Sequence, residues 1–196
     1  MDLRRLASRL WRGLVRRPLG QVLHASRRRA AVRLLRARRD TIRSILFVCH
    51  GNICRSPYAA EAFRRLLSSG SPGVVVRSAG FIGPGRPAPP NAVAVAGRHG
   101  VDLGPHRSQL LDGSLIGAAD LVVVMDPYQR QQIRLRFGRQ GGDVMILADL
   151  LPAFEDARVI PDPIDGPPEK FERVYSQIDE CLRSLASALG MTGGDP

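Results

Sequence analysis

The sequence predicts an α/β domain with a mostly parallel sheet. From residue 44 onward, short apolar runs alternate with helical patterns, which is typical of strand–helix–strand units. The first and third runs are almost continuously apolar, as strands covered by helices on both faces are. About 150 residues is a common length for one domain. We therefore expect an Arg-rich extension at 1–43, one domain at 44–190 and a flexible tail at 191–196.

The elements of this domain follow from the periodicity of its apolar residues. The predicted strands are 45–49, 74–78, 121–125 and 143–147. The first predicted helix opens at Ser56 and Pro57 and has apolar residues over 59–67 at the spacing of one buried face. The other predicted helices are 91–99, 128–137 and about 168–189. Cys181 falls inside the apolar stripe of the last helix, which predicts a core position without chemistry.

The basic charge of the chain is confined to its first fifth. The net charge is +11, and residues 1–43 hold 14 arginines against only Asp2 and Asp40. Residues 44–196 hold 15 basic and 16 acidic residues, so the domain itself is close to neutral. This distribution argues against a specific nucleic-acid-binding domain.

The Arg-rich extension has two helical patterns. Leucines recur at helical spacing within 3–17, before Pro18, and a second basic pattern covers 26–39. Basic amphipathic helices suit an anionic membrane surface or a polyanion. A poorly ordered tail and an organellar transit peptide remain alternative interpretations of the same composition.

The rest of the composition indicates a protein of the reducing cytoplasm. No apolar run approaches the ~18–20 residues of a membrane-spanning helix, and no secretory signal is visible at the amino terminus. Three cysteines are too few for a disulfide scaffold. With the basic extension, the expected location is cytoplasmic, with peripheral contact at the inner membrane surface as an option.

The chemistry is predicted in the loop after the first strand. The segment I-L-F-V-C-H-G-N-I-C-R-S-P, residues 45–57, contains a buried strand ending at Cys49 and a helix opening at Ser56 and Pro57. A loop between the carboxyl end of a strand and the amino end of a helix is where open α/β sheets bind ligands. Its N–H groups and the helix dipole form an anion cradle.

The side chains of this loop suit phosphoryl transfer. The cradle favours Cys49 as a thiolate, and Arg55 can hold two oxygens of a tetrahedral dianion. Gly51 allows close approach of the ligand, and Asn52 tolerates a left-handed conformation. The Ser56 hydroxyl can hydrogen-bond the Cys49 sulfur. A thiolate beside a phosphate nest predicts a cysteinyl-phosphate intermediate.

The reaction also needs a general acid, and no metal or cofactor is expected. The chain has four histidines, and none forms a ligand-spaced pair with another His or Cys. The acid is sought in V-I-P-D-P-I-D-G-P-P, residues 159–168. Asp162 lies between two prolines and is preferred. Asp165, before Gly166, fits a turn better and stays as the alternative.

Four segments resemble the low molecular weight protein tyrosine phosphatases in order and spacing. They are V-C-H-G-N-I-C-R-S-P at 48–57, R-S-A-G at 77–80, V-V-V-M-D at 122–126 and D-P at 162–163. The resemblance covers about 44–185 and implies a three-layer, four-stranded parallel sheet flanked by helices, the phosphatase I-like fold. It implies Cys49 as nucleophile, Arg55 as phosphate clamp and Asp162 as acid and then base. It implies a phosphate-binding loop of His50, Gly51, Asn52, Ile53, Cys54, Arg55 and Ser56, with Cys54 as redox partner of Cys49.

The chain departs from this family at the substrate mouth. His50 stands where an aliphatic residue is common, and Ile164 and Asp165 follow Asp162-Pro163 where many relatives have an aromatic or Gly-rich stretch. The residues expected to line the mouth are Phe81, Ile53 and Tyr58.

The expected substrate is a phosphotyrosine protein, with a bacterial tyrosine kinase as one candidate, or a small aryl phosphate. Branched Ile53 argues against phosphoarginine, and the position of Cys181 argues against a thiol-dependent arsenate reductase. A non-enzymatic anion-binding module is the last alternative, because it would not need Cys49, Arg55 and Asp162 together.

Overall fold

The architecture is a four-stranded parallel sheet between helices, seen in a computed structural model that describes residues 17–67, 73–139, 141–153 and 158–191. The strands, in the spatial order β2-β1-β3-β4, are β1 Ser44–Cys49, β2 Val75–Gly80, β3 Leu121–Val124 and β4 Val144–Ile146. The helices are α1 Arg17–Arg38, α2 Arg55–Leu67, α3 Pro90–Arg98, α4 Gly113–Ala118, α5 Pro127–Phe137 and α6 Pro168–Leu189. The predicted α/β fold is confirmed.

Strand β1 lies at the centre of the molecule because it pairs with both β2 and β3. Its register places Cys49 opposite Gly80, and Val48 opposite both Ala79 and Val124. All residues of β1 except Ser44 are buried, as the continuous apolar run predicts. The carboxyl ends of these strands therefore meet at one edge of the sheet, which we call the catalytic edge.

Several predicted boundaries were wrong by one or two residues. Strand β2 extends to Gly80, beyond the predicted end at 78, because pairing with Cys49 continues the ladder. Strands β3 and β4 are shorter than predicted, and Leu147–Leu150 forms a 3₁₀ turn instead of extending β4. Helix α2 begins at Arg55, so Ser56 lies within its first turn and does not cap it.

Helix α1 is longer than the predicted helix 26–39 and packs on the domain. It begins at Arg17, with Pro18 in the first turn, where proline is tolerated. Leu35 is fully buried, and the His24 Nε2–H donates to the Leu151 carbonyl at 3.0 Å. Arg38 donates to the carbonyls of Gly142 and Asp120 at 3.1 and 3.0 Å. The helical pattern predicted within 3–17 and the tail beyond residue 191 lie outside the described residues, except for Arg17.

Candidate active site

The loop 50–54 crosses the catalytic edge between β1 and α2. It passes so close to the end of β2 that a Cβ atom on Gly80 would lie 2.7 Å from the backbone nitrogen of Asn52. Only glycine leaves room there, because the opposing atom is backbone and cannot move without displacing the loop. Gly80 of the R-S-A-G segment is thus part of the loop's support.

Two donors reach the sulfur of Cys49. The Asn52 N–H lies 3.2 Å from Sγ, and the Ser56 hydroxyl lies 3.1 Å from it. The side chain is 3% exposed, at the floor of the loop. Both donors would stabilise a thiolate as nucleophile and as leaving group.

Asn52 organises the loop through its whole side chain. Its φ of 50° is left-handed, as the sequence predicts. Its Nδ2 donates to the hydroxyls of Ser56 and Ser78, both at 2.9 Å, and its Oδ1 accepts from the Gln109 N–H at 2.7 Å. Because a backbone N–H can only donate, this contact fixes which amide atom is the oxygen. The Ser56 oxygen accepts from Asn52, which leaves the hydroxyl proton to be donated, and its acceptors are the Cys49 sulfur at 3.1 Å and the Ala79 carbonyl at 3.3 Å.

Three successive carbonyls of the loop point outward, and each has its own donor. The His50 carbonyl accepts from the Phe81 N–H at 2.8 Å, and the Asn52 carbonyl accepts from His106 Nε2–H at 2.7 Å. The Gly51 carbonyl accepts from Arg86 Nη2 at 2.7 Å. In a trans peptide the following N–H points away from the carbonyl. These three contacts therefore turn the next N–H groups toward the concave side, as an anion nest requires.

Arg55 and Asp162 meet at the mouth of this nest. The Arg55 guanidinium is 4% exposed, its Nη2 forms an ion pair with Asp162 Oδ2, and its Nη1 donates to the Ile160 carbonyl at 3.1 Å. Arg55 Nε is buried without a hydrogen-bond partner among the described residues. The two charged groups assigned to phosphate binding and proton transfer thus face the same cleft.

The segment 162–166 separates the two candidate acids. The Ile164 N–H donates to Asp162 Oδ1 at 3.3 Å. This hydrogen bond holds one carboxylate oxygen, while the other oxygen contacts Arg55. Asp165 is exposed, with a left-handed φ of 61°, inside a turn closed by the Gly166 N–H on the Pro163 carbonyl at 2.9 Å. The structure therefore brings Asp162, and not Asp165, to Arg55.

Comparisons with known proteins identify this arrangement. A sequence profile described as low molecular weight phosphotyrosine protein phosphatase matches residues 44–193. The chain belongs to this family. The resemblance stated from the sequence is confirmed, and the matched residues begin directly after the basic segment 1–43.

Three relatives show the range of the family around this phosphatase. The "Probable low molecular weight protein-tyrosine-phosphatase EpsP" of Ralstonia nicotianae is 49% identical over 111 residues, covering 56% of this chain and 73% of that protein. The crystal structure of the tyrosine phosphatase Wzb from Escherichia coli K30 with sulphate superimposes with a TM-score of 0.68 at 32% identity, covering 76% and 100% of the two chains. The protein-arginine-phosphatase of Bacillus subtilis is 34% identical over 146 residues, covering 74% and 95%.

One predicted wall residue of the phosphatase was placed wrongly. Tyr58 is fully buried, its ring stacks on Tyr175 at 3.8 Å between centroids, and its hydroxyl donates to Asp179 at 2.9 Å. Burial, together with the Asp179 charge, raises the pKa of Tyr58 far above its ordinary value. Tyr58 therefore joins α2 to α6 and does not line the mouth. Ile53 and Phe81 are half-buried, and the Phe81 ring lies under Arg136 at 5.3 Å from centroid to guanidinium.

Cys54 lies in the same loop of the phosphatase as a buried, neutral thiol. Burial, with a further contribution from the Asp162 charge, raises its pKa to about 12. Cys49, Cys54 and Cys181 form no disulfide, and Cys181 is fully buried in the core as predicted.

The residues that support the phosphate loop could not be predicted from the sequence. Arg86 and His106 are distant in the chain from the phosphate loop, and no local pattern connects them to it. Ser78 lies in the R-S-A-G segment, whose sequence does not show that its hydroxyl contacts Asn52. One feature of the sequence points to a role for Arg86: it is the sole charged residue in the Pro/Gly-rich loop 82–91.

Proposed function

We propose that this chain hydrolyses phosphotyrosine, and small aryl phosphates, through a cysteinyl-phosphate intermediate. The observation that carries the proposal is the convergence of the Cys49 sulfur, the inward N–H groups of its loop and the Arg55–Asp162 pair on one cleft. A binding module for anions has no need of a nucleophile and a carboxylate at the same position. The family relationship supports the same conclusion.

The proposed reaction has two steps. In the first, the substrate phosphate takes the place of Asp162 on Arg55, and the released carboxylate takes up a proton from solvent. The Cys49 thiolate then attacks phosphorus, the bond from phosphorus to the tyrosyl oxygen breaks, and Asp162 gives that oxygen its proton. In the second, Asp162 takes a proton from water as the water attacks phosphorus, and the sulfur leaves as a thiolate that accepts the Ser56 hydrogen bond. Arg55 exchanges its contact with Asp162 for contacts with phosphate oxygens, and its unpaired Nε provides a further donor.

The proposed substrate is a phosphotyrosine protein, with a bacterial tyrosine kinase as one candidate. Ile53 is the feature that favours an aryl phosphate, since its branched side chain is apolar and half-buried beside the nest. The similarity to a protein-arginine-phosphatase makes phosphoarginine the second candidate. Hydrolysis rates on matched peptides bearing phosphotyrosine, phosphoarginine or phosphoserine test the choice. A higher kcat/KM for phosphoarginine would overturn it.

The test of the mechanism uses p-nitrophenyl phosphate in excess EDTA. We expect turnover by the wild type and none by Cys49→Ser. Cys181→Ala is the matched control, because Cys181 lies in α6 away from the nest, and it should keep the wild-type rate. Undiminished turnover by the Cys49→Ser protein would contradict the proposal.

We further propose that Cys54 protects Cys49 under oxidation. Peroxide converts the Cys49 thiolate to a sulfenic acid, and the Cys54 thiol then condenses with it, releasing water and forming a disulfide. Cys54 follows Cys49 by five residues in the same loop, and the charge of Cys49 acts on the Cys54 thiol, which supports this role. A thiol reductant should restore activity to peroxide-treated wild type, and not to peroxide-treated Cys54→Ala.

We also propose a cytoplasmic location, with peripheral contact of residues 1–43 at an anionic surface of the inner membrane. Among the described residues, no helix combines the length and the apolar composition that crossing a bilayer requires. The concentration of 14 arginines in this segment supports the contact.

A further inference from the structure

The outward face of α1 is basic and has no acidic residue. Val22, Ser26, Arg29, Arg33 and Arg36 recur at intervals of four and three residues, so they share one face of the helix, and all are exposed. The opposite face carries the buried Leu35 and is fixed to the domain. The helix thus presents a positively charged surface that the domain itself does not use.

Large apolar side chains are exposed at the beginning of the same helix. Leu19, Val22 and Leu23 are 57%, 63% and 44% exposed. In the sequence, five further arginines and four leucines precede the helix within residues 1–16. A soluble polyanion would engage the arginines alone, whereas a bilayer takes up arginines at its headgroups and apolar side chains below them. The combination favours a lipid surface.

The contacts of α1 define its direction relative to the catalytic edge. Arg38, at its end, binds the carbonyls of Asp120 and Gly142, which precede β3 and β4. His24 binds the carbonyl of Leu151, which follows β4 and its 3₁₀ turn. The helix therefore runs from the catalytic edge toward the opposite edge of the sheet, and its exposed apolar residues lie at the catalytic end.

We propose that α1 docks this chain on an anionic bilayer along its outward face, with the catalytic edge at the end of that contact. The consequence of this docking rests on the proposed phosphatase function. If the chain is bound to a membrane in this way, its substrates are phosphotyrosine segments held at the same membrane. Soluble substrates are hydrolysed by the same site, but membrane binding does not raise their rate of hydrolysis.

The first test is co-sedimentation with vesicles of phosphatidylcholine alone or with phosphatidylglycerol. Wild type should pellet with the anionic vesicles only. Arg29→Gln, Arg33→Gln and Arg36→Gln combined should weaken binding by roughly a hundredfold, given the usual contribution of each basic residue near an anionic surface. The matched control combines Arg65→Gln, Arg173→Gln and Arg183→Gln, three exposed arginines of α2 and α6, and should bind like wild type.

The second test compares a phosphotyrosine peptide free in solution with the same peptide anchored to anionic vesicles. We expect wild type to prefer the anchored peptide by tenfold or more in kcat/KM, and the variant lacking the three α1 arginines to lose that preference. Its rate on p-nitrophenyl phosphate should stay unchanged, which separates failure of docking from failure of the proposed chemistry. Equal pelleting of the two triple variants would overturn the proposal. The proposal would also be overturned if the wild type bound heparin, a soluble polyanion, but stayed in the supernatant when mixed with anionic vesicles.

Discussion

Arg55 and Asp162 lie 107 positions apart in the sequence and form an ion pair at the mouth of the loop. In the proposed mechanism, substrate phosphate competes with Asp162 for the guanidinium, so that binding of the dianion releases the carboxylate that acts as acid. Asp165, three residues on, is exposed in a turn and has no part in this exchange.

The role of Asp162 is tested by the dependence on the leaving group. Asp162→Asn should lower kcat by roughly 10²–10⁴-fold for phenyl phosphate, whose leaving oxygen needs a proton, and much less for p-nitrophenyl phosphate. Asp165→Asn is the matched control and should change kcat little for either substrate. A larger loss in Asp165→Asn would assign the acid to that residue instead.

Arg86 holds the outer side of the phosphate loop. Its Nη2 binds the carbonyls of Gly51 and Ile82 at 2.7 and 3.1 Å, and its Nε binds the carbonyl of Gly83 at 3.1 Å. One planar side chain thus joins two loops, which a lysine cannot do with the same geometry.

Loss of this support should weaken phosphate binding. We expect Arg86→Gln to raise KM and the inhibition constant of inorganic phosphate by roughly tenfold, the scale of one charge-assisted hydrogen bond. Arg86→Lys should recover part of the loss, and Arg183→Gln should have no effect. Unchanged inhibition by phosphate in Arg86→Gln would show that the loop keeps its shape without the guanidinium.

At the scale of elements, α1 contributes to the core although it lies outside the part of the chain matched to the family. Leu35 is fully buried against the domain. Leu35→Ala should therefore lower the free energy of unfolding by about 2–5 kcal/mol in urea titrations. Leu19→Ala, at an exposed position of the same helix, should change it by less than about 0.5 kcal/mol. Equal small effects would mean that α1 is not packed in solution.

The start of β1 is tied to β3 by one carboxylate. Asp120 accepts the N–H groups of Arg43 and Ser44 and the Ser44 hydroxyl, each at 2.8 Å. Partial burial alone would raise the pKa of Asp120. The hydrogen bonds from Arg43 and Ser44 and the charge of Arg139 outweigh it and lower that pKa below its ordinary value.

This lowered pKa predicts a pH-dependent contribution to stability. A carboxylate with a depressed pKa in the folded state stabilises fully above its unfolded pKa of about 3.9, and the contribution is lost as pH falls through the folded pKa. Asp120→Ala should therefore destabilise the protein at pH 7 and progressively less below about pH 4, measured by urea unfolding. Asp40→Ala, at an exposed position, should show no such trend. A difference that stays constant with pH would contradict the assignment.

At the scale of the whole molecule, the sequence predicts what local patterns determine. The buried strand, the loop and the helix from 45 to 67 follow from apolar periodicity and from Gly, Asn and Pro at fixed places, and β1 and α2 lie where these patterns put them. The extension of β2 to Gly80 depends on pairing with β1, and the residues of β2 alone do not predict that pairing.

Contacts between distant segments account for the remaining differences. Tyr58 is expected at the mouth because it follows the loop directly, and it turns inward because Tyr175 and Asp179 of α6 offer a stacked ring and an acceptor. His106 and Arg86 reach the loop from segments whose position depends on the complete fold. Such residues become visible only when the tertiary structure is known.

The charge of the molecule also has a meaning only at this scale. The domain is nearly neutral, and the basic residues in excess belong to the extension, in part to the outward face of α1. The proposed catalysis and the proposed docking therefore use separate surfaces, which can be changed independently.

The central claim is that phosphate passes through the sulfur of Cys49. The most direct measurement is rapid quenching of the enzyme during turnover of a ³²P-labelled phosphotyrosine peptide, followed by digestion and identification of the labelled fragment. We predict one covalent phosphoryl group on Cys49 in the wild type and none in Cys49→Ser. Full turnover without label on Cys49, or label on another residue, would contradict the account.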